Sequence, residues 1–134
     1  DGALNPWWFN KLAYVRQDFD PFLYPELNYR LFEGEYEVVR DIWVFPTPGH
    51  TKGHQSVFLK LDGGNYIITG DAIYTQENAD TPCLPGLGLF VNPIWWSASM
   101  KDIMHKVKVE KATLLWMHDP IEFKTGKKPP EYYK

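Results

Sequence analysis

The sequence predicts a mixed β-sheet covered by helices, α/β or α+β, and three observations predict it. Short apolar runs of strand length recur between residues 31 and 69, an Asp-Gly-Gly turn signal joins two of them, and one amphipathic helical stripe precedes a last apolar run. At 134 residues the chain is long enough for a single core and one domain at most. With 44% hydrophobic residues and a formal charge of −3, it reads as an ordinary packed globular protein. Fourteen basic residues against seventeen acidic ones make no positive face, which argues against nucleic acid as a partner. Lys124, Lys127 and Lys128 read as a solvated tail. No apolar run reaches the length of a membrane span. The one cysteine, Cys83, rules out an intramolecular disulfide and favours a reducing, cytoplasmic compartment.

Residues 1–30 are dense in aromatics and proline, and Trp8, Leu12, Val15 and Phe19 fall at helical spacing within a helix expected over Trp7–Phe19. The same density suits a segment that walls a pocket. From Leu31, LFEGEYEVV reads as two apolar stretches around a Glu-Gly-Glu turn, and DIWVF as a buried strand. TPGHTKGH then interrupts: two glycines and a proline exclude a regular helix, so His50 and His54 sit on a loop. HQSVFLKL and NYIITGD form a hairpin through LDGGN. Residues 75–96 read as a long irregular loop. A helix follows, with a Met100, Ile103, Met104, Val107 stripe and Ser97 or Ser99 as N-cap. ATLLWM is a buried strand ending at His118 and Asp119, and residues 121–134 form the tail.

Three polar residues share one placement. His50 follows DIWVF, Asp71 follows NYIITG and His118 follows ATLLWM. Strand ends hold side chains rigidly yet leave them open to a ligand, so the three can converge at one sheet edge. A His, Asp, His set suits Zn²⁺ and tolerates Fe²⁺ or Mn²⁺. Each residue alone also fits a turn or cap. His54 reads as a supporting group near the site, His105 as solvent-facing, and Tyr74 as a half-buried aromatic whose hydroxyl would reach a substrate carbonyl if metals are bound.

TPGHTKGHQSVFL, ITGDAIYT and WMHD, in this order, resemble the second half of the metallo-β-lactamase superfamily, most closely its N-acyl homoserine lactonase branch. LNYRLFEGEYEVV and ALNPWWFNKLAYVRQDFD resemble the segments that precede the same motif there, so the match covers nearly the whole chain. The resemblance implies the C-terminal half of an αββα, α+β fold: an aromatic helical insert over 1–30, a sheet and helix carrying ligand loops over 31–120, and the tail. It implies two divalent metals, with His50 on the first, Asp71 bridging both and His118 on the second. Tyr74 matches the tyrosine that polarises a lactone carbonyl, and the attacking hydroxide is generated between the metals. A small ester or lactone is the implied substrate. A thioester, as in glyoxalase II relatives, a phosphotriester, or a non-catalytic truncated relative are the alternatives.

The family's upstream His-x-His-x-Asp-His motif is absent. Met117 stands where glycine is usual, and Lys52 where proline is frequent. Three ligands cannot close two four-coordinate sites, so the chain is expected to be inactive alone. A half fold would also expose an apolar sheet face, which predicts a homodimer or association with an N-terminal half.

Overall fold

The computed structural model describes residues 30–81, 83–84, 90–128 and 131–133. They form one five-stranded sheet in chain order: β1 (Tyr36–Val39), β2 (Ile42–Pro46), β3 (Gln55–Leu61), β4 (Gly64–Ile68) and β5 (Thr113–Leu115). The first four strands pair antiparallel and β5 lies parallel to β4, so the sheet is mixed, as the sequence predicts. Helices α1 (Gln76–Asp80) and α2 (Pro93–Glu110) lie between β4 and β5, and α3 (Pro120–Thr125) follows β5. The aromatic segment, including the helix expected over Trp7–Phe19, falls outside the described residues. Among the described residues no helix is long and apolar enough to cross a membrane.

Turn chemistry sets the hairpins. Asp62 and Gly63 connect β3 to β4, and Gly64, paired with Leu61, takes φ 139, a conformation that favours glycine. Between β1 and β2, Asp41 takes φ 67, and its carbonyl accepts from the Lys60 N–H of β3 at 2.9 Å. The expected turn at Gly34 exists, with φ 78, but Leu31 and Phe32 before it are not strand. Leu31 is solvent-exposed, and the Phe32 ring stacks on Tyr36 at 5.0 Å instead.

The register sorts the side chains. Trp43, Phe58, Ile67 and Leu114 stand opposite one another across β2, β3, β4 and β5, and all pack in or against the core that Trp96, Met100 and Ile103 of α2 complete. Ile67 and Ile103 are fully buried, each contributing about 1.5–3 kcal/mol of apolar burial. The alternate row, Val44, Val57, Ile68 and Leu115, belongs to the other face and is only half-buried, as are Ile42 and Leu59. Lys106 of α2 reaches across to Glu35 at 2.8 Å with its ammonium over the rings of Phe45 and Phe58.

Several expected boundaries move. Helix α2 starts at Pro93, inside the segment read as loop, because Asn92 caps it by accepting from Ile94 and Trp95 N–H groups while Pro93 occupies the first turn. Neither Ser97 nor Ser99 is the cap; both lie within the helix. Trp96 joins Met100 and Ile103 on the buried face, whereas Met104 is 38% exposed. The 75–96 segment also holds α1, whose cap Thr75 accepts from the Asn78 N–H. β5 is three residues long and half-buried, shorter than ATLLWM suggests. The tail opens with α3.

The loop from Thr47 to His54 is closed at its neck by Thr47 N–H donating to His54 O at 2.9 Å. It docks on the start of α2: Ser99 Oγ donates to Pro48 O at 2.7 Å, and the Val91 and Asn92 N–H groups donate to Gly49 O. Gly49 allows this approach, with φ 146 and the Trp96 Cα 2.5 Å from where a Cβ would stand. A Cβ at Gly53 would meet nothing within 4 Å among the described residues. Gly49→Ala should lower the melting temperature by about 10 °C through strain and overpacking, and Gly53→Ala by less than about 3 °C. Equal shifts in a thermal melt would remove this role for Gly49.

Candidate metal centre

Because β2 and β4 are each antiparallel to β3, and β5 is parallel to β4, the C-terminal ends of β2, β4 and β5 emerge at one sheet edge. His50, Asp71 and His118 come just after those ends. The three are brought together: Asp71 Oδ2 lies 3.3 Å from His50 Nε2, and Asp71 Oδ1 lies 2.8 Å from His118 Nε2. One carboxylate therefore presents a different oxygen to each of two imidazoles.

Local backbone chemistry aims these groups. Asp71 sits in a 3-10 turn, Gly70–Ala72, which Thr69 braces by donating its hydroxyl to Ile73 O at 2.8 Å. His118 is fixed through its backbone N–H, which donates to Tyr74 O at 3.2 Å, and its ring stacks tilted on Tyr74 at 4.3 Å. The ring of His50 is held between the edges of Phe90 at 5.3 Å and His54 at 6.0 Å. Among the described residues its buried Nδ1 has no hydrogen-bond partner, and the Phe90 and His54 rings pack against this imidazole.

His54 does not face the carboxylate. Its Nε2 accepts from the Asp71 backbone N–H at 2.9 Å, and its Nδ1 lies 2.8 Å from Thr47 Oγ1 and 3.1 Å from Thr47 O. Burial pushes its pKa below the ordinary imidazole value and His50 adds to the lowering, against opposing effects of Asp71 and Thr47. Tyr74 is shifted upward, first by burial and then by the Asp71 charge, so its phenol keeps its proton at neutral pH. His105 is exposed on α2, as expected.

The donor set, two imidazoles and one carboxylate, is of the nitrogen and oxygen type that zinc takes. A tetrahedral zinc ion with bonds of ~2.1 Å separates neighbouring donors by ~3.4 Å. The His50–Asp71 pair at 3.3 Å matches that spacing, and the His118–Asp71 pair at 2.8 Å is tighter. Among the described residues, no group of three or more His, Cys, Asp or Glu side chains is placed to hold a metal ion.

A family model described as the metallo-beta-lactamase superfamily matches residues 3–120. The chain belongs to the metallo-beta-lactamase superfamily. Among members of this superfamily it is 38% identical to an N-acyl homoserine lactonase of Bacillus thuringiensis, over 81% of this chain and 42% of that protein. It is 30% identical to the N-acyl homoserine lactonase AttM of Rhizobium radiobacter, over 98% of this chain and 51% of that one. The chain thus spans about half the length of these metallo-beta-lactamase relatives. A solved N-acyl homoserine lactone hydrolase, with the product N-hexanoyl-L-homoserine at its catalytic metal centre, superposes with a TM-score of 0.81 at 32% identity, covering 98% of this chain and 48% of that one.

Two residues near the centre escape a reading for metal ligands. Phe90 touches His50, Tyr74 and Trp96, yet nothing in its local sequence marks it. Asp119 does carry a signal, a capping residue followed by proline at helix position one. Its Oδ2 accepts from the Gln76 N–H at 3.0 Å, and its Oδ1 from the Ile121 and Glu122 N–H groups at 2.7 and 3.2 Å. It thus ties the segment after Tyr74 to the segment after His118. The Gln76 donor, helped by Ile121 and Glu122 against the cost of burial, holds the Asp119 carboxyl below its ordinary pKa. A depressed folded-state pKa adds stability above the unfolded value that is lost as pH falls through the folded one. Asp119→Ala should therefore melt lower than the parent at pH 7, with the gap closing below about pH 4. A gap independent of pH would show that the charge is not what holds the two segments.

Proposed function

We propose that this chain is part of a metal-dependent hydrolase that opens the ring of N-acyl homoserine lactones, with Asp71 bridging two divalent cations. The observation that carries the proposal is the Asp71 carboxylate facing His50 with one oxygen and His118 with the other. A simple ion pair needs one such contact; a bridging ligand needs both. His50 then serves the first cation and His118 the second. Zinc suits this nitrogen and oxygen set best, with iron or manganese tolerated. Two cations held here supply Lewis acidity, polarising an ester carbonyl and bringing the pKa of water toward 7.

The remaining roles fall to the chain's own groups. The Asp71 charge balances part of the cationic charge and fixes the spacing of its two partners. Tyr74, kept protonated, donates a hydrogen bond to the carbonyl oxygen of the ester, where negative charge builds during attack. Its ring packs on His118, and it lies near enough to Asp71 for that charge to raise its pKa. The lactone is favoured over a thioester or phosphotriester because the curated relatives at 38% and 30% identity are N-acyl homoserine lactonases.

Two cations sharing three ligands each fall short of four, so further ligands come from outside the described residues. The 134-residue chain by itself should hold fewer than two tight equivalents of zinc, and two equivalents measured by emission spectroscopy after dialysis would refute this. In the natural gene product that contains this chain, His118→Ala should abolish lactone opening, whereas Tyr74→Phe should lower kcat about 10²-fold with the fold intact. His105→Ala should leave activity near the parent level. Turnover of thioesters, aryl esters or phosphotriesters without any lactone opening would reject the substrate.

A further inference from the structure

Behind the Asp71 carboxylate runs a hydrogen-bonded chain whose two ends are both backbone groups. At one end the Asp71 N–H reaches His54 Nε2 at 2.9 Å. A backbone amide only donates, so Nε2 carries a lone pair and the proton of the neutral ring sits on Nδ1. At the other end Ser56 Oγ donates to Thr69 O at 3.0 Å. That commits the Ser56 proton, so the 2.9 Å contact between Thr47 Oγ1 and Ser56 Oγ has Thr47 as donor. The Thr47 hydroxyl is thereby left to accept from His54 Nδ1–H at 2.8 Å, a proton that Thr47 O also accepts at 3.1 Å. With both ends fixed, every proton between them has one direction.

The chain is dry and closes on the turn where it starts. Thr47, Ser56 and Thr69 are each no more than 1% exposed, so water does not compete for their hydroxyls. It leaves the turn at Asp71 N and returns to it at Thr69 O, two residues earlier. Gly70, between them, takes φ 56, and a Cβ there would stand 2.8 Å from His54 Nε2. The imidazole therefore lies directly against the backbone it holds. Both ring nitrogens of His54 are engaged, which leaves neither for a cation.

We propose that His54 is the positioning residue of the centre: locked as the neutral Nδ1–H tautomer by Thr47 and Ser56, it holds the Asp71 backbone so that the two carboxylate oxygens stay divided between His50 and His118. The proposal rests on Asp71 as the bridging ligand. Displacing the Asp71 backbone moves both oxygens together, so what improves one contact worsens the other. Liganding geometry tolerates only about 0.5 Å of such movement.

The two nitrogens of His54 can be tested separately. In the natural gene product that contains this chain, His54→Gln places an amide oxygen near the Nε2 position and keeps an acceptor for the Asp71 N–H. His54→Asn keeps a donor near Nδ1 for Thr47 and removes that acceptor. Zinc dissociation constants by chelator competition, read beside melting temperatures, should give His54→Gln within about threefold of the parent and His54→Asn weaker by about 10- to 100-fold. Equal zinc loss in both variants, or parent-like affinity in His54→Asn, would overturn the positioning role. If His54→Asn does not fold, Ser56→Ala takes its place, with zinc binding expected to weaken by at least about threefold and unchanged affinity counting against the proposal. Asp71→Asn is the separating arm. If it keeps both zinc ions, the bridging assignment has failed; if it loses zinc while His54→Asn does not, only the role of His54 has.

Discussion

The shared direction of β2, β4 and β5 is the constraint on which the rest of the structure depends. An antiparallel hairpin on either side of β3 brings β2 and β4 into the same orientation, and the connection through α2 adds β5 in parallel. Three chain segments therefore leave the sheet at one edge, one carrying His50, one Asp71 and one His118. Strands lie about 4.8 Å apart, so three steps separate β2 from β5 by about 14 Å. The ends alone are too far apart for side chains to meet. The loops close the gap, each by a different device: docking of Gly49 on α2, the 3-10 turn at Gly70, and the hydrogen bond from His118 N–H to Tyr74 O.

Packing and polar chemistry divide the covered face of the sheet. Toward its middle, Phe58, Ile67 and Ile103 form an apolar core. Toward the edge that carries the histidines, the buried positions are Thr47, Ser56 and Thr69. Hydroxyls so placed are costly unless each finds a partner, and here each does, through His54 and the turn holding Asp71. The polar end of the core is thus built into the support of the turn that carries Asp71. Asp119 gives the edge a second brace through the Gln76 and Ile121 N–H groups.

Much of this was legible from the sequence because its signals are local. The Asp-Gly-Gly turn marks the β3–β4 hairpin, the proline and glycines of TPGHTKGH mark a loop, and the placement of His50, Asp71 and His118 after strand-like runs marks a common edge. The start of α2 was misplaced because prolines in the preceding segment look like breakers, although Pro93 after Asn92 begins a helix. Met104 looked like core because periodicity cannot tell how far a neighbouring sheet extends over a helix. The roles of Phe90 and of the buried hydroxyls depend on contacts between residues far apart in the chain, which no local pattern encodes.

The division of the Asp71 carboxylate between two histidines is the central claim, and anomalous diffraction at the zinc edge tests it most directly. Crystals of the zinc-loaded natural gene product containing this chain should show two peaks about 3.5–4 Å apart, with one Asp71 oxygen on each, His50 on the first and His118 on the second. A single peak, or two peaks with Asp71 bound to only one of them, would contradict a bridging carboxylate.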